Sequence, residues 1–163
     1  MPRKSIRTIQ NQKSKIICLT AYSTSIAKII DNYVDVILIG DSLGTAIYGM
    51  KNTQSVTLEM MMNHGKTVYN SSKKAFTVVD MPFNSYNNKK EALSNAKKLL
   101  KYSKCQSIKI ETDFKKVDIV KHLSNNGITV VSHIGVTPQK FKDFKKIRSV
   151  GKNAMEKKDL LNL

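Results

Sequence analysis

The stretch VDVILIGDSLG, residues Val34–Gly44, decides the fold. Five of the six residues from Val34 to Ile39 are apolar, and the run stops at Gly40-Asp41-Ser42. Such an uninterrupted apolar run predicts a strand buried on both faces, as in a parallel sheet covered by helices. Asp41 and Ser42 then lie at the carboxyl end of the strand, where parallel α/β folds carry their chemistry.

The rest of the chain repeats this alternation of a strand, a loop and a helix. Four further apolar runs predict strands at Ile16–Thr20, Phe76–Asp80, Ser107–Glu111 and Thr129–His133. Capping residues followed by apolar stripes predict helices at about 24–32, 58–71, 89–100 and 116–125. Residues 44–55 contain two glycines and little periodicity, which predicts a loop. The basic N-terminal stretch is expected to be a surface arm or a first helix, and the last ten residues to start another helix.

The composition is typical of one globular domain, with 163 residues, of which 40% are hydrophobic and 25% charged. The net charge of +16 could attract nucleic acid, but the lysines are scattered and no nucleic-acid-binding motif is present. A nucleic-acid partner is therefore not expected. No run of about 18 apolar residues predicts a membrane span. Cys18 and Cys105, isolated and in apolar contexts, predict two reduced core cysteines in a cytoplasmic protein.

Polar or ionisable side chains close four of the predicted strands: Asp41, Asp80, Lys109 with Glu111, and His133. The carboxyl ends of parallel strands lie on one side of a sheet, so three carboxylates and one ammonium are expected to converge. Crowded carboxylates repel one another unless a cation neutralises them, and Mg²⁺ prefers oxygen ligands. Alternatively, each carboxylate pairs with a nearby lysine or caps a helix.

Five short strings in this order resemble one enzyme family, ketopantoate hydroxymethyltransferase, also called 3-methyl-2-oxobutanoate hydroxymethyltransferase. The strings are Thr20-Ala21-Tyr22, Gly40-Asp41-Ser42-Leu43-Gly44, Asp80-Met81-Pro82-Phe83, Lys109-Ile110-Glu111 and His133-Ile134-Gly135-Val136-Thr137-Pro138-Gln139. The resemblance extends from about Ile16 to Leu163, and the set is specific although each string alone is weak.

The resemblance implies an α/β fold, the TIM (β/α)8 barrel of the phosphoenolpyruvate mutase/isocitrate lyase type, and a homodecamer. It implies transfer of a hydroxymethyl group from 5,10-methylenetetrahydrofolate to 3-methyl-2-oxobutanoate, which gives 2-dehydropantoate on the route to pantothenate and coenzyme A. By position, the Mg²⁺ ligands would be Asp41, Asp80 and Glu111. The residues contacting the keto acid would be Asp41, Ser42, Asp80 and Lys109. Tyr22 and His133 would line the pocket, without an assigned role in proton transfer.

The sequence departs from the family pattern after the fifth predicted strand. A TIM barrel has eight strands, so the chain corresponds to one incomplete barrel domain over residues 1–163. The glutamate that serves the family as general base has no match here, because Glu156 lies in the preceding helical segment. The sequence is thus expected to be partial or the product of early termination. Its first and fifth strands would be unpaired edges beside an exposed apolar interior.

Two other functions remain possible from the sequence. The first is a metal-dependent lyase of the same superfamily that cleaves a carbon–carbon bond in another 2-oxo acid. The second is a non-catalytic basic protein that binds RNA or anionic surfaces, for which the net charge is the only support. Binding of RNA would weaken steeply with salt, which separates it from binding of a keto acid.

Overall fold

The computed structural model describes residues 2–163, and its centre is a parallel sheet with the strand order β1-β2-β3-β4-β5. The strands are β1 Cys18–Thr20, β2 Val36–Ile39, β3 Phe76–Asp80, β4 Ser107–Glu111 and β5 Val130–His133. The helices are α1 Ile6–Gln10, α2 Thr24–Ile30, α3 Leu43–Ala46, α4 Leu58–Ser71, α5 Lys89–Ser103, α6 Val117–Asn125 and α7 Ala154–Asn162. Short 3₁₀ turns lie at Phe114–Lys116, Pro138–Lys140 and Phe144–Lys146.

The register of the sheet places the polar strand ends side by side. Asp80 on β3 pairs with Lys109 on β4, and Glu111 on β4 pairs with His133 on β5. Every strand runs in the same direction, so these residues share one edge of the sheet. The predicted convergence of the strand ends is therefore built into the hydrogen-bonded ladder.

Helices α4 and α5 form the main cover of the sheet. Asn88 is the N-cap of α5, and its side chain accepts a hydrogen bond from the backbone N–H of Glu91. The two helices approach closely at Gly65 of α4, where an added Cβ would lie only 2.8 Å from the Cβ of Ser103 in α5. The buried faces of the two helices consist of Met61, Met62, Gly65 and Val68 in α4, and Ala92, Ala96, Leu99 and Ser103 in α5.

The prediction that β2 is buried on both faces is wrong, because only one of its faces is buried. Strand β3, in contrast, is buried along its whole length. Ile37 and Ile39 of β2 are buried, but Val36 and Leu38 are only half-buried. On the second face of the sheet, Ile9 of α1 packs against Phe76 and Val78 of β3. The N-terminal stretch thus contains a helix that extends the core.

Three local predictions are corrected by the structure. The first strand has three residues instead of five, and all three are exposed because β1 has only β2 as a neighbour within residues 2–163. Cys18 lies on this strand and is exposed, so it is not a core cysteine, whereas Cys105 is buried as predicted. The predicted loop at 44–55 begins instead inside the short helix α3. None of the helices in the described residues is long and apolar enough to cross a membrane.

Candidate active site

A cleft of about 400 Å³ opens at the carboxyl ends of the strands. It is lined by Leu38, Gly40, Asp41, Ser42, Thr53, Asp80, Lys109, Glu111, His133, Pro138 and Phe144. The sheet supplies the floor, since the polar residues follow or end β2, β3, β4 and β5. The loops after α3 and after β5 supply the remaining wall. The cleft is therefore placed where parallel barrels bind their substrates.

Asp80 and Lys109 form a buried ion pair on the floor of this cleft. Lys109 Nζ lies 2.9 Å from Asp80 Oδ2, and the side chains are 15% and 3% exposed. The same oxygen accepts a hydrogen bond from the backbone N–H of Asp41 at 3.1 Å. Burial raises the pKa of Asp80 to about 6, although the charge of Lys109 opposes the shift. The other oxygen of Asp80, Oδ1, is buried and has no hydrogen-bond partner in the part of the chain that is described.

Asp41 and Glu111 are both held by one residue, Gln139. The side-chain Nε2 of Gln139 donates to Asp41 Oδ2 at 2.7 Å, and its backbone N–H lies 3.2 Å from each carboxylate oxygen of Glu111. Burial raises the pKa of Glu111 to about 7, and it also raises the pKa of Asp41. The hydrogen bonds from Gln139 and the charge of Lys109 lower each pKa and so oppose part of this rise.

His133 and Ser42 occupy two sides of the cleft. Burial, with a contribution from the charge of Lys109, lowers the pKa of His133, so its ring is neutral at pH 7. Its Nδ1 lies 4.0 Å from Glu111 Oε1, beyond hydrogen-bond distance. Ser42 is exposed, and its Oγ lies 2.7 Å from the hydroxyl of Tyr22.

The predicted residues at the strand ends do meet in this one cleft: Asp41, Ser42, Asp80, Lys109, Glu111 and His133. Tyr22 lies outside it but contacts it through Ser42, and its carbonyl oxygen is 2.7 Å from His64 Nδ1. The alternative pairing with lysine is seen at Asp80 alone, because Asp41 and Glu111 are held by neutral amide donors. The catalytic and binding roles of the residues stay predictions.

Sequence reasoning did not single out Gln139 or Tyr86. Gln139 is 4% exposed, and its Oε1 accepts a short hydrogen bond from the hydroxyl of Tyr86. Gln139 belongs to one of the strings that resemble the family, but its local sequence gives no sign of a contact with Asp41. No pattern in the sequence points to Tyr86.

The carboxylates of the cleft suit a hard divalent cation by their chemistry, since all offer oxygen. The unpartnered Oδ1 of Asp80 is a buried acceptor of the kind that a cation would satisfy. Within residues 2–163, however, no three His, Cys, Asp or Glu side chains are arranged closely enough to hold a metal as they stand. The residues therefore fit Mg²⁺ by donor type, and binding would require the carboxylates to move together.

Comparisons with known proteins identify a family and support the fold. A family model described as ketopantoate hydroxymethyltransferase matches residues 2–163. A 3-methyl-2-oxobutanoate hydroxymethyltransferase of Pelagibacter ubique (strain HTCC1062) is 48% identical over 162 residues, which are 99% of this chain and 62% of the relative. A protein of the same name from Rhizobium etli is 44% identical over 142 residues, 86% of this chain and 52% of the relative. The chain thus spans between half and two thirds of these relatives.

The fold is similar to that of 2,3-dimethylmalate lyase, a member of the PEP mutase/isocitrate lyase superfamily. That crystal structure matches with a TM-score of 0.58 at 15% identity, over 77% of this chain and 50% of the lyase. The predicted fold class is confirmed: the five parallel strands alternating with helices form part of a TIM barrel of this type. Because the family model matches nearly every residue and the relatives share over 40% identity, the chain belongs to the ketopantoate hydroxymethyltransferase family.

Proposed function

We propose that this protein takes part in transferring a hydroxymethyl group from 5,10-methylenetetrahydrofolate to 3-methyl-2-oxobutanoate, which yields 2-dehydropantoate. The relatives that carry this transferase name match the chain over most of its length. The observation that carries the proposal is the cleft in which Asp41, Asp80, Lys109 and Glu111 meet. Neither the lyase nor the RNA-binding alternative is favoured by the names of the relatives.

In this proposal Asp41, Asp80 and Glu111 bind Mg²⁺. Their oxygens are the ligands that Mg²⁺ prefers, and Asp80 Oδ1 has no other partner among the described residues. When bound, the metal would supply positive charge that stabilises the negative charge growing on the keto oxygen as the C3 proton leaves. Burial raises the pKa values of the three carboxyls, and a cation bound among them would lower those values.

Lys109 and Ser42 are proposed to bind the keto acid. The ammonium of Lys109 is held on the cleft floor by Asp80, where it can also attract the carboxylate of the substrate. The Ser42 hydroxyl can donate a hydrogen bond to the substrate, and the Tyr22 hydroxyl fixes where it points. The C3 proton must leave before C3 bonds to the one-carbon unit, and we assign no residue of this chain as the base that takes it.

The proposal includes a cytoplasmic homo-oligomer, a homodecamer as the resemblance implies. The free thiols of Cys18 and Cys105 suit a reducing compartment. The mass of the assembled protein in solution, measured by light scattering, tests the oligomeric state.

Calorimetric titration of 3-methyl-2-oxobutanoate into the protein, with and without Mg²⁺, tests the proposed site. We expect binding that requires Mg²⁺ and falls at least about tenfold in Asp80→Asn, because the neutral amide no longer attracts the cation. The matched control is Asp118→Asn on the surface of α6, where the side chain is 71% exposed, and it should bind as the wild type does. Equal affinity in both variants, or tighter binding of another 2-oxo acid, would contradict the proposal.

A further inference from the structure

Gln139 is a buried neutral residue that contacts two of the carboxylates of the cleft. Its side chain and backbone reach two of the three carboxylates at once, Asp41 through Nε2 at 2.7 Å and Glu111 through the backbone N–H at 3.2 Å. The second hydrogen of Nε2 is donated to the carbonyl oxygen of Met81 at 3.0 Å. The hydroxyl of Tyr86 donates to Oε1. All polar atoms of the side chain therefore have partners, and the residue is held from four sides.

These partners allow the amide only one orientation. The carbonyl oxygen of Met81 can only accept, so the NH₂ group of Gln139 must face it and, with it, Asp41. The hydroxyl of Tyr86 already accepts from the backbone N–H of Glu111 at 3.3 Å, which leaves its own proton for Oε1 of Gln139. A rotated amide would place two oxygens against each other at Met81 and again at Asp41. The orientation of the donor toward Asp41 is thus fixed before any ligand binds.

Neutral hydrogen-bond donors differ from lysines in the net charge that remains on the carboxylates. An ammonium beside Asp41 or Glu111 would cancel a negative charge, as Lys109 does for Asp80. An amide N–H stabilises the carboxylate and fixes its position without adding charge. The three carboxylates and one ammonium keep a formal charge of −2 when ionised, which matches a divalent cation.

From this arrangement we infer that Gln139 is a positioning residue, which restrains the carboxylates of Asp41 and Glu111 beside the cleft, from where they close on the cation together with Asp80, while Tyr86 fixes the amide of Gln139. The inference rests on the proposed function, because it assigns a role toward the same metal site. It concerns a residue that contacts the carboxylates and not the reacting atoms. Residues that orient metal ligands in this way commonly change metal affinity by 10- to 100-fold when they are replaced.

The test uses two matched variants of the same residue type. Gln139→Met keeps the length of the side chain and removes its donors. Gln106→Met makes the same change at the opposite end of β4, where Gln106 accepts from Thr77 N and donates to the carbonyl oxygen of Lys4. Titration calorimetry with Mg²⁺ alone should give an affinity at least about tenfold weaker in Gln139→Met, and unchanged in Gln106→Met, at similar melting temperatures. Equal Mg²⁺ affinity in the wild type and both variants would overturn the inference.

Crystal structures of the metal-free variants separate failure of the inference from failure of the proposed function. In Gln139→Met the Asp41 carboxylate should leave its place and turn toward the ammonium of Lys109, whose positive charge attracts it. In Gln106→Met it should stay. If the wild type binds no Mg²⁺, the proposed metal site is contradicted. The position of Asp41 in the two variants then tests the positioning role of Gln139 by itself. Glu111 should also stay in Gln139→Met, because the backbone N–H of residue 139 remains, and an unmoved Asp41 in that variant would overturn the inference.

Discussion

Replacing Lys109 with methionine is expected to destabilise the protein much more at pH 8 than at pH 5. The ammonium of Lys109 lies 2.9 Å from Asp80 Oδ2, and the Asp80 side chain is only 3% exposed. Methionine preserves most of the apolar stem but removes the charge. Asp80 is then left in a buried place with no cation beside it, which raises its pKa further.

The magnitude follows from the pKa of Asp80, about 6 in place of its ordinary 3.8. A carboxyl whose pKa is raised by folding costs stability as the pH rises from its unfolded pKa to its folded pKa. In the wild type this loss ends near pH 6. In Lys109→Met this loss continues above pH 6. Each further pH unit at which the carboxyl stays protonated lowers the free energy of unfolding by about 1.4 kcal/mol, so a carboxyl still protonated at pH 8 lowers it by about 3 kcal/mol. At pH 5 Asp80 is protonated in both proteins, so the charge makes little difference.

Urea unfolding followed by circular dichroism at the two pH values measures this difference. Asp41 and Glu111 also feel the charge of Lys109, and the loss of that charge moves their pKa values in the same direction. The matched control is Lys97→Met on the exposed face of α5, whose effect should not depend on pH. The reasoning is refuted if Lys109→Met loses the same free energy of unfolding at pH 5 and pH 8.

Two further predictions concern helix packing and the thiols. Gly65→Ala should destabilise the protein by about 1–2 kcal/mol, because the new methyl group would lie 2.8 Å from Ser103 Cβ and force α4 and α5 apart. The same assay on Thr67→Ala, exposed on α4, should show a change within about 0.5 kcal/mol, and an equal loss in both variants would contradict the contact. Burial raises the pKa of both thiols, to about 11 at Cys105, but only Cys18 is exposed. A thiol reagent should therefore modify Cys18 alone in the folded protein and both cysteines in urea. Rapid labelling of Cys105 without denaturant would show that the prediction is wrong.

Much of the sheet could be predicted from local patterns, because each strand is a short apolar run bounded by turn residues. Strands β3 and β4 have the predicted bounds. The first strand is shorter than predicted, since apolar residues such as Ile16 and Ile17 show hydrophobicity but not where the neighbouring strand starts. Helix α3 was missed because its four residues are too few to display a helical period.

The sequence could predict those parts of the candidate site that lie at the ends of the strands. The side-by-side placement of Asp80 and Lys109 follows from a parallel ladder, and the sequence alone predicts it. The contact between Tyr86 and Gln139 joins residues 53 positions apart, in two loops whose paths depend on tertiary packing. Such contacts have no local signature, and the holding of Asp41 by an amide therefore had to be seen in the structure.

The strictly sequential strand order also affects how the protein opens and closes in solution. Each strand pairs with its neighbours along the chain, so β3 has two strands on either side of it within residues 2–163. Asp80 lies on β3, Lys109 lies on β4, and Asp41 follows β2. Strand β3 is also buried along its whole length, so its amide hydrogens should exchange slowest of the sheet. The ion pair of the cleft is therefore expected in the most stable part of the sheet.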